Sequence, residues 1–154
     1  MTVRFSAGPT AARPPFCFSA SMRVGFDETD AQAVVYYGRY FPYFDRARVE
    51  YMRHLGVLRQ GFGPGHGLEF VMRRSLCEYE APARFDDALE VFIRTERIGT
   101  SSWACELVVT LEADGALLAR AEQVLVLVDT TRRVPVRVPS SFRDAVESFE
   151  AGTP

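Results

Sequence analysis

Asp27, Glu28 and Asp30 set three carboxylates side by side, and the run Val34-Val35-Tyr36-Tyr37-Gly38-Arg39-Tyr40 follows them closely. Helical spacing begins where that run ends. A carboxylate a few residues before a helix can meet the same small molecule as the helix's first N–H groups. Those groups have no acceptor inside the helix and carry partial positive charge. They stabilise an anion, or an oxygen becoming one. The stretch therefore offers an acid or nucleophile and an oxyanion site in one local unit. Asp27 and Glu28 read as turn residues on the solvent side.

The elements that must hold this unit follow from periodicity. Tyr40, Phe44, Ala47, Tyr51 and Leu55 recur at steps of three and four and define one face of a helix from about Gly38 to Leu55. It would be about 25 Å long at the standard rise. Pro42 falls in its first turn, where a missing N–H costs little, and Gly56 is a natural stop. Arg46 and Glu50 form a weak i,i+4 pair. Before it, Phe16, Phe18, Met22, Val24 and Phe26 share one face of a strand by period two. Residues 1–15, with Gly8, Pro9, Pro14 and Pro15, read as a flexible tail. Gln60 to Gly67 reads as a flexible glycine loop.

Four strand-like runs come next: Leu68–Ala81, Ala88–Gly99, Ser101–Ala113 and Ala116–Asp129. Asp114-Gly115 between the last two is a strong hairpin signal. In the third, Trp103, Cys105, Leu107, Val109 and Leu111 alternate with Ala104, Glu106, Thr110 and Glu112, which implies one buried face. Pro139-Ser140-Ser141 can cap a short final helix through Phe149. The order predicts a single α+β domain over 16–150, an antiparallel sheet of about five strands wrapped around one long helix.

Composition excludes several classes. The chain has 154 residues, 47% hydrophobic, with 18 basic and 20 acidic side chains. The resulting charge of −2 argues against a nucleic-acid partner. No apolar stretch approaches the ~20 residues of a membrane helix, and no signal peptide is visible. Cys17, Cys77 and Cys105 form no Cys-x-x-Cys pair and read as reduced, buried thiols of a cytoplasmic protein, with no metal or cofactor implied.

The segments Asp27-Glu28-Thr29-Asp30-Ala31, Val34–Tyr40 and Tyr43-Phe44-Asp45-Arg46-Ala47-Arg48-Val49-Glu50-Tyr51 resemble the signature of the 4-hydroxybenzoyl-CoA thioesterase family. The resemblance runs from about Ser19 to about Glu147. It implies the hot-dog fold, an acyl-CoA substrate, and a homodimer or homotetramer with pockets between subunits. It makes Asp30 the carboxylate that attacks the thioester or activates water. It makes the backbone N–H of Tyr37 the group that polarises the thioester carbonyl, with the Tyr37 side chain lining the pocket. Tyr36 and Tyr40 are pocket or core aromatics, and Gly38 allows close approach of backbone to ligand.

A CoA ligand needs cations for its phosphates. Arg97, Arg132 and Arg133 are the first candidates, ahead of Arg73, Arg74 and Arg84. Some relatives in that family carry a basic cluster in the loop that reads Ile98-Gly99-Thr100-Ser101-Ser102 here, and Arg97 is the nearest substitute. His54 and His66 have no partner at a triad-like spacing. An acyl-CoA thioesterase acting on an aromatic or short- to medium-chain acyl group is the leading reading. A non-catalytic acyl-CoA or acyl-carrier binding module, and a thioesterase discharging the acyl carrier protein of a polyketide pathway, are the alternatives.

Overall fold

The computed structural model describes residues 5–58 and 67–152. His66 and most of the glycine loop lie outside them. Strands β1 (Ala7–Arg13), β2 (Phe16–Arg23), β3 (Leu68–Tyr79), β4 (Ala88–Ile98), β5 (Ser102–Leu111), β6 (Leu117–Asp129) and β7 (Val134–Pro135) join helices α1 (Tyr40–His54) and α2 (Ser140–Ala151). The strands form an antiparallel sheet in the order β1-β2-β4-β5-β6-β3, with β7 added to β6. The sheet wraps α1, and this is the hot-dog architecture that the sequence led us to expect.

The helical face behaves as its spacing predicts. Tyr40, Phe44, Ala47 and Tyr51 are buried, together with Tyr43 and Met52. They meet Phe18, Val91, Ile93, Trp103, Leu107 and Leu127 from the sheet in one core. Gly56 adopts φ +75° after the helix, as an unbranched stop should. A 3₁₀ turn over Tyr37–Arg39 leads directly into α1, so helical backbone starts one residue earlier than the periodicity indicates.

Several expectations need correction. Part of the presumed tail is strand β1, paired antiparallel to β2 from Ala7↔Ala20 to Arg13↔Phe16. Gly8 and Pro9 are tolerated there because β1 is an edge strand. Phe16 does not share the face of Phe18. It follows the turn at Pro14-Pro15 and packs with Phe92 and Val108 on the outer side of the sheet, beyond a register shift between Pro9 and Arg13 of β1. Phe26 lies beyond the strand and is exposed, edge-on to Phe85. Both faces of β5 are largely buried, because Ala104, Val108 and Thr110 are covered as well as Trp103 to Val109. Glu50 pairs with Arg53 rather than Arg46. Pro139 is the N-cap of α2, and no side chain caps that helix.

The far end of α1 is sealed by α2. The Glu150 carboxylate accepts hydrogen bonds from Tyr51 Oη at 2.6 Å, Thr95 N at 2.8 Å and Cys17 Sγ at 3.1 Å. Trp103 Nε1 donates to Thr95 Oγ1 at 2.9 Å. Burial, then the charge of Glu150, pushes the Tyr51 hydroxyl well above the ordinary tyrosine range. His54 belongs to this end, between the rings of Phe18 and Phe149. Cys17 and Cys105 are buried, and Cys77 is partly so.

Candidate active site

The segment before α1 is a miniature hairpin. Asp30 N donates to the Val34 carbonyl at 3.0 Å, and Ala33 N returns to the Asp30 carbonyl at 2.9 Å. Thr29 bridges Val35. The turn between them is tight enough to hold Ala33 at φ +61°, a left-handed conformation costing a non-glycine residue about 1–2 kcal/mol. Gln32 N donates to Asp30 Oδ1 at 2.8 Å, which points the carboxylate over its own turn.

Two anchors hold this hairpin to the protein. Val35 N donates to the Ala83 carbonyl at 2.8 Å, and Tyr36 N donates to the Glu28 carbonyl at 2.9 Å. Glu28 is therefore not a solvent-side turn residue. It is buried, and its Oε1 accepts Gly25 N at 2.7 Å. Tyr43 is packed beside it, with a hydroxyl that has no hydrogen-bond partner among the described residues. Burial, and after it the Glu28 carboxylate, pushes that hydroxyl above the ordinary tyrosine range. Asp27 stays exposed as expected.

Asp30 and Tyr37 line one open groove of about 310 Å³. Val34, Val35, Tyr40 and Tyr79 are among its other walls, with Gln32 and Glu80 as polar members. Asp30 is half-buried, and among the described residues its carboxylate accepts only the Gln32 N–H. Tyr40 forms a buried part of the wall, whereas Tyr37 is 61% exposed. Tyr36 leans outward against Tyr37, ring centroids 4.6 Å apart. Gly38 leaves room for that arrangement, because a Cβ there would sit 3.0 Å from the exposed Tyr36 ring, which would have to shift slightly. No side chain caps the helical start at Tyr37.

Tyr79 was not foreseen. It closes β3, 5.2 Å from the Tyr40 ring and 6.3 Å from the Tyr37 ring, both edge-on. Its hydroxyl donates to the Tyr37 carbonyl at 2.8 Å. Its position in the sequence shows only strand alternation, so nothing local marks it.

The arginines do not join the groove. Tyr79 pairs with Ala119 on β6, while Arg97 pairs with Ala104, which itself pairs with Val124. Five residues along β6 is about 17 Å at the strand rise. Arg132 and Arg133 lie beyond Asp129, ten residues or about 33 Å from the Tyr79 level. Arg132 is also engaged: its backbone N–H and guanidinium both hold Asp129 and lower that carboxyl's pKa.

The family model of the thioesterase-like superfamily matches residues 24–146. The acyl-CoA thioester hydrolase YbgC of Escherichia coli O6:H1 is 37% identical over 126 residues, which is 81% of this chain and 92% of that protein. The acyl-CoA thioesterase YbgC of Haemophilus influenzae is 31% identical over 128 residues, 83% and 93% of the two chains. A thioesterase-superfamily structure from Jannaschia superposes with a TM-score of 0.84 at 19% identity, over 95% of this chain and 94% of that one, and bears on the fold alone. The groove with its carboxylate and uncapped helical start thus lies on a chain that belongs to the thioesterase-like superfamily, as a thioester hydrolase.

Proposed function

We propose that the protein hydrolyses acyl-CoA thioesters in the Asp30 groove. The observation that carries this reading is the shared wall: a half-buried carboxylate with spare acceptor capacity and the uncapped start of the helical segment border the same space. The thioester carbonyl oxygen would take the Tyr37 N–H and its neighbour at the helical start. Two routes use this geometry. In one, Asp30 takes a proton from water, the water oxygen bonds to the acyl carbon, the C–S bond breaks, and the thiolate leaves and is protonated. In the other, Asp30 itself attacks, expels the thiolate and forms an anhydride that water then cleaves. Single turnover in ¹⁸O-water reveals the second route when water attacks the Asp30 carbonyl of the anhydride, because label then enters the Asp30 carboxyl and the product takes its oxygen from Asp30; trapping the anhydride with hydroxylamine reports attack at either carbonyl.

Tyr37, Tyr40 and Tyr79 make the groove aromatic, which suits an aromatic or other compact acyl group. Its volume is at the small end of the roughly 300–1,000 Å³ of ligand sites. The nucleotide part would therefore lie outside, where its phosphates require cations, and Arg97, Arg132 and Arg133 of the same chain stand far along the sheet from Asp30.

A homodimer supplies a reason for this. β3 is a 12-residue edge strand carrying exposed Val71, Met72, Leu76 and Tyr79. Such an edge leaves a row of unpaired backbone groups and invites a second copy. Antiparallel pairing of β3 with its partner strand would set the groove end of one chain against the arginine end of the other.

The test is turnover of benzoyl-, phenylacetyl- and medium-chain acyl-CoA by the purified protein, beside an acyl carrier protein thioester. Thiol release that Asp30→Asn abolishes supports the reading. Ligand binding without thiol release would replace the enzyme with a binding module, and preference for the carrier-protein thioester would change the substrate class.

A further inference from the structure

We propose that Tyr79 is the positioning residue of the oxyanion site. This rests on the thioesterase reading of the groove and goes beyond it, because Tyr79 belongs to neither the Asp30 hairpin nor the helix. Its hydroxyl donates to the Tyr37 carbonyl at 2.8 Å, and that carbonyl also accepts Tyr40 N–H from the first helical turn. The Tyr37–Gly38 peptide is planar, so fixing its carbonyl fixes the Gly38 N–H at its other end. Hydrogen bonds in series polarise one another, and a donor on the carbonyl makes the N–H of the same peptide a stronger donor.

The anchor is built into the sheet, whereas no side chain caps the helical start. Tyr79 ends a strand whose residues pair with β6 from Leu68↔Asp129 to Tyr79↔Ala119, and Glu80 N continues with a bond to the Leu118 carbonyl at 2.9 Å. Tyr37 is exposed, and its helical start carries no side-chain cap. One hydroxyl therefore ties the segment that bears the catalytic amides to the sheet. Edge-on contacts with the Tyr37 and Tyr40 rings hold the Tyr79 ring at the angle this requires. Burial, followed by the neighbouring Cys77 thiol, raises the Tyr79 pKa, so the hydroxyl keeps its proton at neutral pH and remains a donor.

Tyr79→Phe keeps the ring and removes only that donor. With benzoyl-CoA as substrate, kcat falls about five-fold, the value of one neutral hydrogen bond, while KM stays within two-fold. A second reading is taken in the Asp30→Asn background, where bound benzoyl-CoA persists and its thioester C=O stretch can be followed by difference infrared spectroscopy. Binding lowers that frequency when Tyr79 is intact, and Tyr79→Phe moves the band part of the way back. The band comes only from bound ligand, so partial unfolding cannot imitate this change. An unchanged kcat, or a band that Tyr79→Phe leaves in place, overturns the role of Tyr79 alone. A band that does not move on binding with Tyr79 intact overturns the groove reading together with it.

Discussion

Asp30 and Glu150 are both carboxylates beside tyrosines, and they meet opposite ends of the same helix. Tyr40, in the wall of the Asp30 groove, and Tyr51, bonded to Glu150, are 11 residues apart on α1, about 17 Å along its axis. At the Glu150 end both carboxylate oxygens are engaged, by Tyr51 and Thr95 on one and Cys17 on the other. At the Asp30 end one backbone N–H is bound and the acid faces a groove. A carboxylate can accept about four hydrogen bonds. Glu150 spends its capacity on joining α2 to α1 and β4, whereas Asp30 keeps capacity for water or substrate. Residue type does not separate these two acids; what is left unbonded beside open space does.

The comparison can be broken by exchanging what each acid is asked to lose. Asp30→Asn should lower kcat on the best acyl-CoA about 10³-fold, on the scale of general-base catalysis, while the melting temperature stays near that of the parent. Steady-state thiol release and calorimetry on one preparation read both. An Asp30→Asn protein that loses its fold instead would make Asp30 another Glu150. Glu150→Ala should do the reverse. It leaves Thr95 N–H and the Tyr51 hydroxyl without their acceptor in a buried setting, at about 2–3 kcal/mol, with kcat retained in the folded fraction. Urea unfolding followed by Trp103 fluorescence measures this, since the indole is fully buried and bonded to Thr95. A smaller effect is expected from Gly38→Ala. The new methyl group meets the exposed Tyr36 ring, which can swing aside, so stability changes by about 1 kcal/mol or less while KM rises.

An alkaline titration gives the mildest contrast. The pKa values of Tyr43 and Tyr51 are raised in the folded state by burial, so folding favours their neutral forms. Their stabilisation is complete below the unfolded tyrosine value of about 10 and is lost as pH climbs past it. The melting temperature should therefore decline above about pH 10, and Tyr43→Phe should decline less steeply than the parent. A parallel decline in both proteins would remove Tyr43 from the account.

Much of this was legible in order. The buried face of α1 came from a period that only a helix produces, and β3 to β6 from alternation and from Asp114-Gly115. The acids before the helix stood out because three fell beside one aromatic run. What failed was the fate of residues at element boundaries. Phe16 opens β2 at the turn from β1 and Phe26 lies beyond its end, so period two was carried to points where backbone geometry changes. Glu28 was read as solvated because charge predicts exposure, yet Gly25 N–H gives its carboxylate a buried partner. β1 escaped notice because an edge strand buries little and tolerates proline.

By itself the sequence determined the long amphipathic helix, the antiparallel strands that follow it and the acidic stretch that precedes it, because each is a pattern among neighbours in the chain. Only the tertiary structure decided that Tyr79, more than forty residues after Tyr37, would bond to that residue's carbonyl, and that Arg97, Arg132 and Arg133 would stand away from it along the sheet. Those outcomes depend on strand register and on how far the sheet wraps the helix. Both are set by the packing of the whole core, and no local run of residues encodes them.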